Sequence, residues 1–329
     1  AADLRYPVDF GARGSATIGG TIATNAGGIN VLRYGMTRQQ VVGVEAVLGN
    51  GEIVSHLSGL VKDNTGYDLG SLLCGSEGTL GIVTKARLRL VPNFARRSTF
   101  LIGVPSLSAA MDCVSSLVGS LDTLDAVELM TNDGVSLVTR TVGVEAPLPG
   151  YAVYLLIETS SDVDQTEAIG AHVADRPGIG VVVAATATQR RDLWRLRDEH
   201  TPSINALGPP SKFDVTVRSS AIPEFVPAVE ERLRAGYPGS RLIVFGHAAD
   251  GNLHVNVIGV EPGEFERLGD DVLSIVASFG GSVSAEHGIG VAKKRWLHLS
   301  RTPSEIAAMR AVKTALDPFG IMNPNVLFD

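Results

Sequence analysis

The chain has 329 residues, 44% of them hydrophobic and 19% charged, with a net charge of −7. This length suits two domains and a sizeable core, while the acidic balance and scattered basic residues argue against nucleic acid as a partner. No apolar run reaches the roughly 20 residues of a membrane-spanning helix, and the opening AADLRYPVDF lacks the basic and apolar regions of a signal peptide, so a soluble, cytoplasmic, bacterial protein without a transmembrane segment is the expectation.

Residues 1–96 are rich in glycine and in short β-branched runs, among them ATIGGTIATNAGG, VVGVEAVLGNGEIVSH and GTLGIVTKARLRLV. Punctuated by turn signals such as Gly49, Asn50 and Gly51, the pattern predicts short strands and close backbone approaches rather than long helices. The glycines at 11, 14, 19, 20, 27 and 28 leave backbone amides bare, which suits a phosphate or a flat cofactor ring, although a glycine-rich hairpin set without a ligand reads the same way. From Arg97 the character changes. STFLIGVPSL, YAVYLLIETS and RLIVFGH read as strands, while SLSAAMDCVSSLVGSL, DQTEAIGAHVADR and EFVPAVEERLRAG read as amphipathic helices, which predicts an antiparallel, ferredoxin-like α+β layer. DDVLSIVASFGG and TPSEIAAMRAVKTALD return to helix, the latter stopped by Pro318 and Gly320. The expected division is 1–96, 97–273 and 274–329. Cys74 and Cys113 lie in apolar surroundings and read as buried small hydrophobes in a reducing compartment.

Chemistry concentrates in two segments. GHAADGNLHVN carries His247, His254 and Asn256, and SAEHGIG carries Glu286 and His287. Two histidines and a carboxylate form a ligand set for a divalent metal such as zinc with one position left open to substrate, and His287 is then the candidate base. Asp250, Gly251 and Asn252 read as a turn, so His247 and His254 flank it, and His254 and Asn256 share one face of the strand that follows. Taken alone, the first segment reads better as a capped turn with surface or satisfied core histidines. Glu286 and His287, set beside Gly288 and Gly290, move the reading to a site. A further charged stretch, LWRLRDEHT followed by SKFDV, places Arg197 and Thr201 four apart on a predicted helix with Lys212 on the next extended segment. Two cations and a hydroxyl suit a carboxylate, yet spacing alone favours a solvated helix face. No GxGxxG follows a strand and no GxxxxGK[ST] is present, so NAD is not the expected redox cofactor.

The runs GARGSATIGGTIATNAGG, LRYG, KDNTGYDL, GSEGTLGIVT, GHAADGNLHVN, SAEHGIGVAKK and DPFGIMNPN, in this order over almost the whole chain, together resemble the FAD-linked 2-hydroxy acid dehydrogenases of the vanillyl-alcohol-oxidase type. The resemblance implies an α+β fold: the second half of an FAD-binding domain, an antiparallel substrate (cap) domain, and a small helical C-terminal part that completes the active site. It implies oxidation of a D-2-hydroxy acid, with D-2-hydroxyglutarate first and D-lactate or glycolate as alternatives, and hydride transfer to flavin N5. Electrons then pass to an acceptor such as electron-transfer flavoprotein or a quinone, and a homodimer is compatible. His247, His254 and Glu286 match metal ligands, Asn256 a substrate contact, and His287 the residue that takes the hydroxyl proton. Arg197, Thr201 and Lys212 match residues that hold the substrate, which raises the carboxylate clamp above the solvated-face reading. Gly14, Ser15, Ile18, Gly19, Gly20, Asn25, Gly27, Gly28, Gly81, Ile82 and Asn323 match positions along FAD.

Three departures stand out. Ala249 replaces the glycine usual before the aspartate of the GDGNLH run, which would disturb the turn if that position needed positive φ. Asn325 and Val326 replace a small residue and a lysine. The family's PGG-type pyrophosphate loop lies upstream of the first residue given, so this polypeptide is expected to hold FAD weakly or not at all. The competing expectations are a non-catalytic metal- and carboxylate-binding remnant without FAD and, last, a hydrolase using the same metal, which lacks a further carboxylate base beside the metal motif.

Overall fold

Apolar, β-branched runs along seven strands build the largest sheet of the computed structural model, which describes residues 3–60, 62–173 and 176–328. The strands are β1 (Arg96–Val104), β2 (Leu124–Thr131), β3 (Val153–Ser161), β4 (Gly180–Val183), β5 (Ser211–Thr216), β6 (Arg241–His247) and β7 (Asn252–Ile258). They form one antiparallel sheet in the order β5-β7-β6-β2-β3-β1-β4. The predicted ferredoxin-like layer is therefore wider than the sequence suggested, because LDAVELMT, GVVV and SKFDVT also join it as strands.

Residues directly opposite in an antiparallel pair share a face. One face carries Val127, Leu129, Val244, Leu253, Val255, Leu155 and Ile157, all buried. Against this side pack the helices α1 (Leu107–Val118), α3 (Thr166–Val173), α6 (Ile222–Gly236) and α7 (Phe265–Ser278). Of the predicted helix DQTEAIGAHVADR, Ala174 and Asp175 lie outside the described residues. The opposite face carries Glu128, Glu158, Phe245, His247, His254 and Asn256, and it is covered by α2 (Asn132–Val142), α4 (Ala187–Asp198) and α5 (His200–Asn205). Polar residues on a buried sheet face need partners, and α4 and the neighbouring strands supply them. Glu158 accepts hydrogen bonds from Arg190 Nε and Nη2, each at 2.7 Å, from Trp194 Nε1 at 2.7 Å, from Arg97 Nη1 at 3.0 Å and from Thr99 Oγ1 at 3.0 Å.

Phe94–Ser282 form one compact unit, and residues up to Asn93 and from Val283 onward form a second. The expected boundary after residue 273 would cut α7, whose buried Val272, Leu273 and Val276 belong to the central core, and the chain divides after Ser282 instead. The second unit holds a three-stranded antiparallel sheet (Ile53–His56, Val41–Leu48, Gly81–Leu88) over Leu73 and Leu80, with the helix Pro303–Leu316 laying Val312 and Leu316 on that cluster. The run ATIGGTIATNAGG is not a strand. It is a helix, Ile18–Thr24, started by Thr17, whose hydroxyl accepts the Gly20 amide at 3.0 Å, and ended by Asn25 in the left-handed region. Burial of Thr21 and Ile22 overrides the poor helical propensity of its glycines and β-branched residues. Cys74 and Cys113 are buried and outside any disulfide, in keeping with small core hydrophobes.

Burial by itself raises the Glu158 carboxyl, but the hydrogen bonds and charges of Arg190, Trp194 and Arg97 outweigh it and hold the pKa below the usual value. A lowered folded-state pKa contributes stability above the unfolded value, near pH 4.5, that disappears as pH falls below it. Glu158→Gln is expected to destabilise the chain at neutral pH by about 3 kcal/mol, the lower end for a severed buried pair since Arg190 is a third exposed. It should also flatten the acid limb of melting temperature against pH. An unchanged acid limb would refute this assignment.

Candidate functional site

The site in the central unit grows from one hairpin. Strands β6 and β7 place Phe245 opposite His254 and His247 opposite Asn252, so both histidines lie on the polar sheet face. Their rings sit 5.6 Å apart at 79°. Gly251 makes the connection possible: its φ is +77°, and a Cβ there would stand 1.9 Å from the Val217 carbonyl oxygen. Ala249 does not take positive φ, so its methyl leaves the turn undisturbed.

Each imidazole is backed by a carboxylate on the neighbouring strand. His247 Nδ1 lies 2.5 Å from Glu128 Oε1. His254 Nδ1 lies 3.5 Å from Asp214 Oδ1, and Asn252 Nδ2 donates to the same Asp214 oxygen at 2.8 Å. With Nδ1 directed at a carboxylate, Nε2 is the nitrogen each ring offers to a ligand. Burial lowers the pKa of His254, a shift opposed by its hydrogen bond to Asp214 and reinforced by the nearby Arg197 charge, so the ring favours the neutral form that binds metals. Neighbouring His200, wholly buried, is driven by burial and then by Arg197 down to about 3. Two imidazoles with fixed Nδ1 partners fit a divalent metal in donor chemistry.

Arg197, on α4, reaches the same sheet face. Its Nε donates to Glu128 Oε2 at 2.7 Å and its guanidinium carbon stands 4.6 Å from the centre of the Phe245 ring. Burial by itself raises the Glu128 carboxyl, but the charges of His247 and Arg197 hold it down to about 2. Arg197 and Thr201 are not on one uninterrupted helix. Glu199, with φ −82° and ψ 1°, caps α4, and Thr201 is exposed on α5. Lys212 is exposed on β5 directly opposite Asn256, which places the two on one face, and Asn256 Nδ2 donates to the Ile243 and His254 carbonyls.

The remaining residues singled out from the sequence lie in the second unit. Glu286 Oε1 accepts the Gly28 amide at 2.6 Å. Gly28 has φ +107°, and a Cβ there would fall 2.0 Å from the Asp9 carbonyl oxygen, so this position requires glycine. The loop carrying His287 is strapped by Glu77, whose carboxylate accepts the amides of Ile289 and Gly290 at 2.8 and 2.7 Å. Glu77 itself takes φ +54°, and its carbonyl accepts the Asn323 side-chain amide. Asn323 is held near it by Lys313, which pairs with buried Asp317 and donates to the Met322 and Thr79 carbonyls at 2.7 and 2.8 Å. Gly14 and Ser15 form an exposed turn, and a Cβ at Gly14 would meet nothing within 4 Å. Gly19 and Gly20 lie on the helix Ile18–Thr24, while Ile82 is 60% exposed beside buried Gly81. Asn25 closes that helix, its side chain accepting the Arg38 amide at 2.9 Å, and Gly27 packs its α-carbon near Glu286. Bare main chain at Gly14 with an exposed apolar side chain at Ile82 fits a flat cofactor lying on the backbone. Sequence reasoning missed Glu77, Glu128, Glu158 and Asp214, because an isolated acid carries no spacing signal.

Residues 95–327 match the C-terminal domain of FAD linked oxidases, and residues 1–56 match an FAD binding domain. The chain belongs to the FAD-linked oxidase family. A D-2-hydroxyglutarate dehydrogenase of Xanthomonas citri pv. viticola is 39% identical, over 99% of this chain and 71% of its own length. One from Stutzerimonas stutzeri is 36% identical over 99% and 72%. The mitochondrial enzyme of Rattus norvegicus is 36% identical, and the chain spans 62% of that protein. The expected class, an FAD-linked D-2-hydroxy acid dehydrogenase, agrees with this kinship. Among solved structures, p-cresol methylhydroxylase matches with a TM-score of 0.73 at 16% identity, covering 98% of this chain and 71% of that one, which shows the fold. No helix among the described residues is long and apolar enough to cross a membrane.

Glu77→Ala is expected to release the amides of Ile289 and Gly290, raising their hydrogen-exchange rates about tenfold or more as two charge-assisted bonds are lost. Unchanged protection at both amides would show that the loop is held by other contacts.

Proposed function

We propose that this protein oxidises D-2-hydroxyglutarate to the 2-oxo acid using FAD and a divalent metal held by His247, His254 and Glu286. The observation that carries the reading is the histidine pair on one sheet face, each ring backed at Nδ1 by a carboxylate, in a chain whose relatives are D-2-hydroxyglutarate dehydrogenases. FAD, held along Gly14, Ser15, Ile18, Gly19, Gly20, Asn25, Gly27, Gly28, Gly81, Ile82 and Asn323, supplies the hydride acceptor. A zinc-like metal supplies Lewis acidity that eases loss of the substrate hydroxyl proton.

The chain's own residues do the rest. His287 takes the hydroxyl proton, and the strap from Glu77 fixes the main chain beside it. Asn256 orients the substrate from the same sheet face as His254. Arg197 grips the distal carboxylate with the Nη groups that its Nε bond to Glu128 leaves uncommitted to that partner, while Lys212 adds a point charge and Thr201 a hydroxyl. These residues distinguish a dicarboxylate from D-lactate or glycolate, which lack a distal carboxylate. Electrons leave through a non-NAD acceptor such as electron-transfer flavoprotein or a quinone, in keeping with the absence of a nicotinamide fingerprint from the sequence.

Metal analysis of the purified chain, with a flavin spectrum before and after anaerobic addition of FAD and D-2-hydroxyglutarate, tests this. Bleaching of the flavin band once FAD is added in large excess, with about one metal per chain, is the expected result. His254→Ala should remove the metal and the bleaching together. Lys212→Met should raise KM for D-2-hydroxyglutarate about tenfold, the equivalent of about 1.4 kcal/mol, and leave that for D-lactate unchanged. Equal kcat/KM on the two substrates in the unmodified protein would sink the dicarboxylate preference.

A further inference from the structure

We propose that Glu128 is a positioning residue that sets the geometry of the metal half and the carboxylate half of the site at once; this rests on the metal site proposed above. Glu128 is fully buried on β2, directly opposite His247 on β6. Its two oxygens are divided between two partners. Oε1 takes His247 Nδ1 at 2.5 Å and Oε2 takes Arg197 Nε at 2.7 Å. The first bond fixes the imidazole tautomer, so that Nε2 faces outward as the ligand nitrogen, and it raises the basicity of that nitrogen. The second holds the guanidinium by its inner edge and leaves its outer edge to meet a carboxylate. The Phe245 ring, with Arg197 over it at 4.6 Å and His254 beside it at 4.9 Å, prevents either group from swinging inward.

A carboxylate serves here where other acceptors fail. It presents two acceptor oxygens and no donor, so it satisfies two N–H groups arriving from different elements. A carboxamide of the same shape satisfies one and turns its own NH₂ on the other. Were Glu128 only a counter-charge for Arg197, its contact with His247 would be dispensable for metal binding. If it positions both, the two bonds have separable consequences.

The test measures Zn²⁺ affinity of the full chain by competition with a chromogenic chelator, which needs neither flavin nor turnover. It also measures KM for D-2-hydroxyglutarate in the flavin-loaded protein. Glu128→Gln is expected to weaken Zn²⁺ binding about 10- to 100-fold, the range for lost carboxylate support of a ligand histidine, and to raise KM for the dicarboxylate. Arg197→Met, which keeps the bond from His247 to Glu128, should raise KM while leaving Zn²⁺ affinity within about threefold of the unmodified protein. Glu128→Asp keeps the charge in a shorter side chain, and it should still weaken Zn²⁺ binding if the glutamine variant does not fold. Zn²⁺ affinity unchanged in both Glu128 variants, or lost equally in Arg197→Met, would overturn the proposal. If the unmodified chain binds no Zn²⁺, the metal reading itself fails, and that outcome is visible before any variant is compared.

Discussion

The central unit depends on two buried carboxylates that one helix must satisfy. Glu128 and Glu158 occupy the same face of the sheet, where an unpaired charge would be prohibitively costly. Helix α4 reaches both, with Arg190 and Trp194 on Glu158 and Arg197 on Glu128. This pairing fixes the rotation and axial position of α4 more tightly than apolar contact alone, because a guanidinium meets a carboxylate only over a narrow range of geometries. The opposite face of the sheet needs no such device, since interlocking Val, Leu and Ile side chains bury there without a preferred direction.

From this arrangement follows a division of labour between faces. The apolar side supplies stability, and the polar side holds charged groups in fixed positions where they meet a ligand. Buried polar networks are stabilising only when every member is satisfied. Here the partners of His247 and His254 lie on adjacent strands, so the backbone ladder that defines the fold also sets their separation. The second unit uses a different means. Carboxylates of Glu77 and Glu286 take main-chain amides of distant loops, tying Gly28 and the Ile289–Gly290 backbone into place without a regular element.

Much of this was legible in the sequence. The apolar run RLIVFGH and the strand expected after the Asp250–Asn252 turn are both present, with His254 and Asn256 on one face. The helices α1, α6 and α7 followed from their apolar spacing. Three features were not legible. ATIGGTIATNAGG has strand-like composition, and only packing of Thr21 and Ile22 makes it a helix. At the interruption at Glu199 the one cue is Pro202, three residues on, and the four-residue spacing of Arg197 and Thr201 outweighs it, so the two looked like one helical face. The partners Glu128 and Asp214 are single acids inside LDAVELMT and SKFDVT, and their importance comes from cross-strand register, which has no local sequence signal.

Strand β7 shows what such a design implies for drift in sequence. Its even positions, Asn252, His254 and Asn256, face the ligand groups, and its odd positions, Leu253, Val255 and Val257, fill the core. No side chain on it is idle, so substitutions there have consequences on one side of the sheet or the other. A single-residue insertion within the strand would exchange the two sets and place histidine in the core and leucine in the site. The turn at Ala248–Gly251 lies outside this alternation, but buried Ala248 and the positive φ of Gly251 fix its length as well.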